Sequence, residues 1–209
     1  MMRFVMGPEP KTFDDRCRQR GLRWLQRHPN YDRPHDYWSA FEPDLRRAFL
    51  GLCAYCAMRI PKGEVDHFIP VAVFKQQGRH ELAYEWSNLR YADAHFNRKK
   101  QDVTLLDPFR VKDEWFAIVL PSLELVITKT LPARQRRLAR STLTRLGLDR
   151  GEIVLRYRAE WFEMYREGKL TLTGLRDVAP LIARAVERDL EDGKDWRYSP
   201  RRGSGRQKK

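Results

Sequence analysis

The chain has 209 residues, 42% of them hydrophobic and six of them tryptophan, enough apolar material to enclose a sizeable core. Lys and Arg number 41 against 28 Asp and Glu, a formal net charge of +13 that argues for a polyanionic partner rather than for any particular fold. Three cysteines exclude a disulfide framework, no apolar run approaches a membrane span, and the opening residues carry no signal-peptide region, so a cytoplasmic protein with no membrane role is expected.

From the N-terminus, Thr12-Phe-Asp-Asp15 places a hydroxyl three residues before a carboxylate and predicts a capped helix start. Phe13, Cys17, Gly21, Trp24 and Leu25 fall mainly on one face of that helix, which ends before Pro29, so Cys17 is expected in the core. His28 and His35 border prolines and read as loop histidines. A second helix is predicted from Glu42-Pro43, with Phe41, Leu45, Phe49 and Leu52 as its apolar stripe and Gly51 near its end. Met58–Ile60 and Glu64–Ile69, separated by the turn-forming Pro61-Lys-Gly63, predict two short strands. Residues 71–85 read as a polar loop, with His80 on its surface.

Further along, residues 115–120 and 123–128 flank Pro121-Ser122 and predict a β-hairpin. Pro132 starts a helix with Leu138, Ala139, Leu143 and Leu146 facing inward; its arginines, Arg136, Arg137 and Arg140 among them, cover the outside as candidate phosphate contacts. Residues 153–167 form another amphipathic helix, with Tyr157, Trp161, Met164 and Tyr165 on the core side. Asp177 is expected to cap a last helix reaching Leu190, with Pro180 in its first turn. From Gly193 the chain becomes a Gly/Ser-containing basic tail, with Arg197, Arg201, Arg202, Arg206, Lys208 and Lys209, expected to stay mobile until it meets an anion.

The chemistry concentrates in residues 53–100. Hydrolysing a phosphodiester needs a deprotonated water, neutralisation of the phosphate and help for the departing oxygen. Asp66-His67 supplies an imidazole that titrates near neutrality and a hard oxygen donor for a divalent cation. Adjacent strand residues point to opposite faces, so both can serve one site only if the strand ends or twists there. Trp86-Ser-Asn88-Leu89 and Asn97-Arg98-Lys99-Lys100 follow, and Lys100 falls on nearly the same helical side as Asn97, where it could steady a phosphate.

In this order the residues resemble the HNH nuclease family, which folds as a ββα-metal (His-Me finger) core. The resemblance implies that His67 is the general base, Asp66 and Asn97 hold a catalytic Mg²⁺ or Mn²⁺, and Asn88 orients the histidine-bearing loop. Arg98, Lys99 and Lys100 then lie on the helix that meets nucleic acid. Many HNH proteins bind a structural Zn²⁺ through two cysteine pairs; Cys53 and Cys56 match the first, but Asp93 and Phe96 stand where the second falls. Zinc would need Asp93, His95 or water to complete its tetrahedron. Cys-Ala-Tyr-Cys, Asp-His-Phe-Ile-Pro, Glu-Trp-Ser-Asn-Leu, Asn-x-x-Lys and Leu106-Asp-Pro-Phe109 also resemble an HNH subgroup of Septu- and retron-linked anti-phage effectors that work beside an ATPase.

The expectation is an α+β protein: an N-terminal helical segment (1–50), an HNH core (51–110), a C-terminal hairpin with helices (111–192) and a basic tail (193–209). Its expected activity is metal-dependent endonucleolytic cleavage, of double-stranded DNA before other nucleic acids. The rival reading is a non-catalytic nucleic-acid-binding or protein-docking module on the same fold.

Overall fold

A computed structural model describes residues 1–103 and 105–198; Arg201, Arg202, Arg206, Lys208 and Lys209 of the basic tail lie outside the described residues. The first helical segment opens with a π-helical turn (Asp14–Arg18) and continues as α1 (Gln19–Arg27). Phe13, Cys17 and Gly21 are buried along one side, as their spacing requires. The expected side-chain cap from Thr12 does not form, and the Thr12 carbonyl accepts from Arg16 N at 3.0 Å instead. α2 (Glu42–Ala48) carries Pro43 in its first turn, and Phe41, Leu45, Phe49 and Leu52 are all buried.

Of the two strands expected at 58–60 and 64–69, the second forms, as β1 (Glu64–His67). Met58–Ile60 forms no strand; β1 pairs antiparallel with β2 (Leu89–Ala92), in the register Glu64↔Ala92 to His67↔Leu89. The backbone of 58–60 is engaged elsewhere: the Met58 carbonyl accepts from Cys53 N at 2.9 Å, Arg59 N donates to the Val178 carbonyl at 2.7 Å and Ile60 N to the Gly51 carbonyl at 3.2 Å, whereas every residue of β2 is buried beside β1. The connection between the strands is likewise not an open loop. It contains α3 (Val71–Gln76) and a 3₁₀ turn (His80–Tyr84), because Phe74, Leu82, Ala83 and Tyr84 all enter the core. One residue after β2, Asp93 caps α4 (Ala94–Lys100), its carboxylate accepting from His95 N at 2.8 Å.

The hairpin forms as β3 (Phe116–Val119) and β4 (Glu124–Ile127), and α5 (Ala133–Leu146) buries Ala139, Leu143 and Leu146 before Gly147 ends it in the left-handed region. α6 (Glu152–Arg166) is rotated from expectation: Val154, Arg158, Phe162 and Tyr165 are buried, and Tyr157 and Trp161 only partly so. The Arg158 guanidinium takes its place on the buried side. It is 1% exposed and donates to the carbonyls of Leu123 (2.8 Å), Leu148 (2.7 Å) and Asp149 (3.4 Å), which the hairpin turn and the α5–α6 loop converge to present. α7 (Leu172–Val178), not foreseen from sequence, is capped by Thr171 and contains Asp177. Asp177 therefore does not cap α8 (Pro180–Glu191), which Ala179 precedes without a side-chain cap. Gly193–Tyr198 follow α8, and Arg197 pairs with Asp195.

The described residues thus form a mixed α and β structure with two small antiparallel sheets, and the buried residues of the N-terminal, central and C-terminal segments form one continuous hydrophobic cluster. Among the described residues no helix is long and apolar enough to cross a membrane.

Candidate active site

The site is built where β1 ends. Asp66 and His67, its last two residues, are 6% and 8% exposed, and both line one cleft of about 720 Å³ together with Asp36, Trp38, Lys75, Asn97, Lys100 and Gln101. Because the strand stops at His67 and the chain turns through Phe68-Ile69, adjacent side chains reach the same cleft despite strand alternation.

The His67 imidazole is held on two sides. Its Nε2 lies 2.9 Å from the Ala83 carbonyl, which can only accept, so Nε2 carries the proton and Nδ1 is left with the basic lone pair. The edge of Trp38 meets the ring at 84° with centroids 4.5 Å apart. Burial is the main influence on its pKa and lowers it below the ordinary 6.5, with the Ala83 bond and the Asp66 charge opposing. Burial thus favours the neutral imidazole, the state a proton acceptor needs.

Asn88 stands behind this arrangement. Its Oδ1 accepts from Ile69 N at 2.8 Å, while Nδ2 donates to the Leu82 carbonyl at 3.0 Å and the Ile69 carbonyl at 3.3 Å. It ties the residues just after His67 to the residue just before Ala83, so both ends of the His67 hydrogen bond are held by one amide.

Asp66 is more heavily committed than its sequence context suggests. Oδ1 accepts from Lys100 Nζ at 2.9 Å, and Oδ2 accepts from the Tyr55 hydroxyl. Lys100 is 2% exposed and also donates to the His67 carbonyl at 2.6 Å, so its ammonium is paired inward with Asp66 rather than free for a phosphate. Asn97 lies on α4 at the cleft wall, its Nδ2 donating to Glu64 Oε2 at 2.9 Å; among the described residues no hydrogen bond reaches its Oδ1. The oxygens of Asp66 and Asn97 are of the kind a hard divalent cation takes, but Asp66 is already neutralised by an ammonium. Among the described residues no group of three or more His, Cys, Asp or Glu side chains comes together to hold a metal ion.

Tyr55 reaches Asp66 from a tight knuckle formed by residues 53–58. Cys53 N donates to the Met58 carbonyl and Ala57 N to the Cys53 carbonyl, both at 2.9 Å, and Leu52 and Arg59 bridge its base. Cys53 and Cys56 are free and fully buried. Burial opposes a Cys53 thiolate, but hydrogen bonds from Cys56 and from the Asp93 backbone outweigh it and lower the pKa. Burial and the neighbouring Cys53 push Cys56 well up. Two thiols are half of a zinc tetrahedron, and the Asp93 carboxylate that could extend the set is spent on capping α4.

Arg98 and Lys99 are exposed on α4, and with His95, Gln101 and Arg145 of α5 they line a shallow basic depression beside the cleft. Gln101 belongs to both, and its side chain accepts from Arg145. Arg137 and Arg140 are exposed on the outer side of α5, and Arg136 donates to the Lys129 carbonyl at 3.2 Å. Arg145, one of the arginines expected on the outside of this helix, is thus the α5 arginine that meets the basic end of α4.

Sequence reasoning also missed Tyr55, Trp38 and Arg90. Arg90, opposite Asp66 in the ladder, donates to Asp107 at 2.9 Å and lies 3.8 Å from the Phe109 ring centroid, so the Leu106-Asp-Pro-Phe109 motif clamps β2. An arginine within a buried strand and an aspartate before proline and phenylalanine were the available signal. Nothing local marks Tyr55 or Trp38, whose partners lie far off in sequence. The chain matches no protein-family model and no curated protein.

Proposed function

We propose that this protein is a metal-dependent endonuclease that hydrolyses phosphodiester bonds, double-stranded DNA being the preferred substrate. The observation that supports it most is the fixing of His67: Nε2–H is bound to Ala83, Nδ1 is left as a neutral base, and Asp66, Asn97 and Lys100 share its cleft. In this reading His67 takes the proton from the attacking water at Nδ1. Asn88 keeps the imidazole aimed by holding Ile69 and Leu82, and Trp38 restricts its rotation. Asp66 and Asn97 are the residues that would hold a Mg²⁺ or Mn²⁺ ion, the arrangement of a ββα-metal core in which β1, β2 and α4 are the elements involved. Such a cation supplies neutralisation of the phosphate and of the leaving oxygen.

Arg98, Lys99 and Arg145, with the outward arginines of α5, hold the phosphate backbone through contacts that position without reading sequence. An ATPase partner, as in the anti-phage systems the sequence resembles, belongs to the same proposal. Plasmid cleavage with Mg²⁺ or Mn²⁺, comparing wild type with His67→Ala purified identically, tests the reading: cutting lost in the variant and in EDTA supports it, and equal cutting by both proteins removes it. One observation favours the rival, a non-catalytic binding or docking module: both oxygens of Asp66 are occupied by protein groups. Salt-sensitive DNA binding without cutting in any divalent cation, partner added, would establish that rival.

A further inference from the structure

We infer that Lys100 is a built-in counter-ion that holds Asp66 until a divalent cation displaces it, and that the displaced ammonium then faces the phosphate in the cleft; the inference rests on the nuclease reading above. Lysine is almost never fully buried unless paired, and Lys100 meets that condition through one carboxylate and one carbonyl, 2.9 Å and 2.6 Å away. The other Asp66 oxygen is taken by Tyr55, whose phenol burial and the Asp66 charge keep protonated. A cation on Asp66 and an ammonium hydrogen-bonded to the same carboxylate are like charges with little water between them, so each weakens the other's hold on it.

Lys100 also has somewhere to go. It is the last residue of α4, its stem is flexible, and it lines the cleft with Gln101 and Asp102 just beyond the helix end. Leaving Asp66 therefore places the ammonium where sequence reasoning expected it, on the Asn97 side of the helix. The two positions of Lys100 reconcile its buried ion pair with a role at phosphate. The same exchange reduces the apparent affinity for the cation by the fraction of molecules in which Asp66 is free.

The test uses the full chain and two readouts other than cleavage. Mn²⁺ binding is followed through the free-ion electron paramagnetic resonance signal for wild type, Lys100→Met and Lys99→Met, the last removing the same charge from the exposed side of α4. Acylation of lysines by an acetyl succinimidyl ester, read by mass spectrometry, is followed in wild type with and without saturating Mn²⁺. Lys100→Met is expected to bind Mn²⁺ about tenfold tighter or better, with Lys99→Met close to wild type. Lys100 in wild type is expected to change from protected to as reactive as Lys99 when Mn²⁺ saturates. Saturation with Lys100 still protected overturns the displacement and leaves the nuclease reading intact. No Mn²⁺ binding by any of the three proteins overturns both. If Lys100→Met does not fold, the wild-type acylation result decides by itself.

Discussion

The phenol of Tyr55, carried between two buried cysteines, donates its hydrogen bond to Oδ2 of Asp66, and this joins the knuckle to the first strand at the carboxylate of the candidate site. Tyr55→Phe keeps the ring and removes only the donor, leaving a buried carboxylate oxygen without that partner. The expected cost is about 1–3 kcal/mol in urea unfolding, with lower cleavage activity in the folded variant. An unchanged unfolding midpoint would show that the bond contributes nothing.

His67→Ala is expected to lower cleavage by about 100- to 10,000-fold. Because burial lowers the His67 pKa, the acid limb of the wild-type rate profile is expected below pH 6.5, with the rate rising as pH rises through it. The stability effect has the same sign: the unfolded chain binds this proton more readily, so the contribution of neutral His67 is present above pH 6.5 and lost as pH falls below it. An acid limb above pH 7 would assign the titration to another group.

Asn88→Ala leaves the Ile69 N–H and the Leu82 carbonyl without their partner while His67 itself is untouched. A loss of roughly 3 kcal/mol in stability is expected, together with a fall in kcat at nearly constant KM, since substrate contacts are unchanged. A change confined to KM would place Asn88 at the substrate instead of behind the histidine.

Arg158→Met tests the buried guanidinium of α6. The carbonyls of Leu123 and Leu148 lose the Arg158 donor, while that of Asp149 keeps Leu125 N at 2.9 Å; Leu123 holds a left-handed backbone with φ of 61°. Destabilisation of roughly 3 kcal/mol is expected by chemical denaturation, with DNA affinity unaltered. Unchanged stability would mean that the carbonyls find water once the side chain is shortened.

Replacing Arg98, Lys99 and Arg145 together by alanine is expected to weaken DNA binding for all sequences alike. The slope of log affinity against log salt should fall by about 0.9 for each phosphate contact removed. Binding with an unchanged salt slope would move the nucleic-acid path away from the end of α4.

Much of the helical architecture was legible locally. The stripes of α1, α2 and α5 and the hairpin β3–β4 follow from spacing that reports which side of an element is apolar, and the structure buries those sides. The loop between β1 and β2 misled for the opposite reason: its polar residues outnumber Phe74, Leu82, Ala83 and Tyr84, yet those four decide that it folds onto the core.

By itself the sequence determined which residue types could carry chemistry and brought Asp66, His67, Asn88 and Asn97 forward as a set. Only the tertiary structure decided how they are used. Pairing β1 with β2, placing Ala83 at Nε2 of His67, and closing Lys100 and Tyr55 on Asp66 are contacts between residues 11 to 34 apart or between strands on either side of a helix. Periodicity reports burial, because burial follows from the local geometry of helix and strand. Hydrogen-bond and ion-pair partners are chosen through space by the packing of elements that no local pattern encodes.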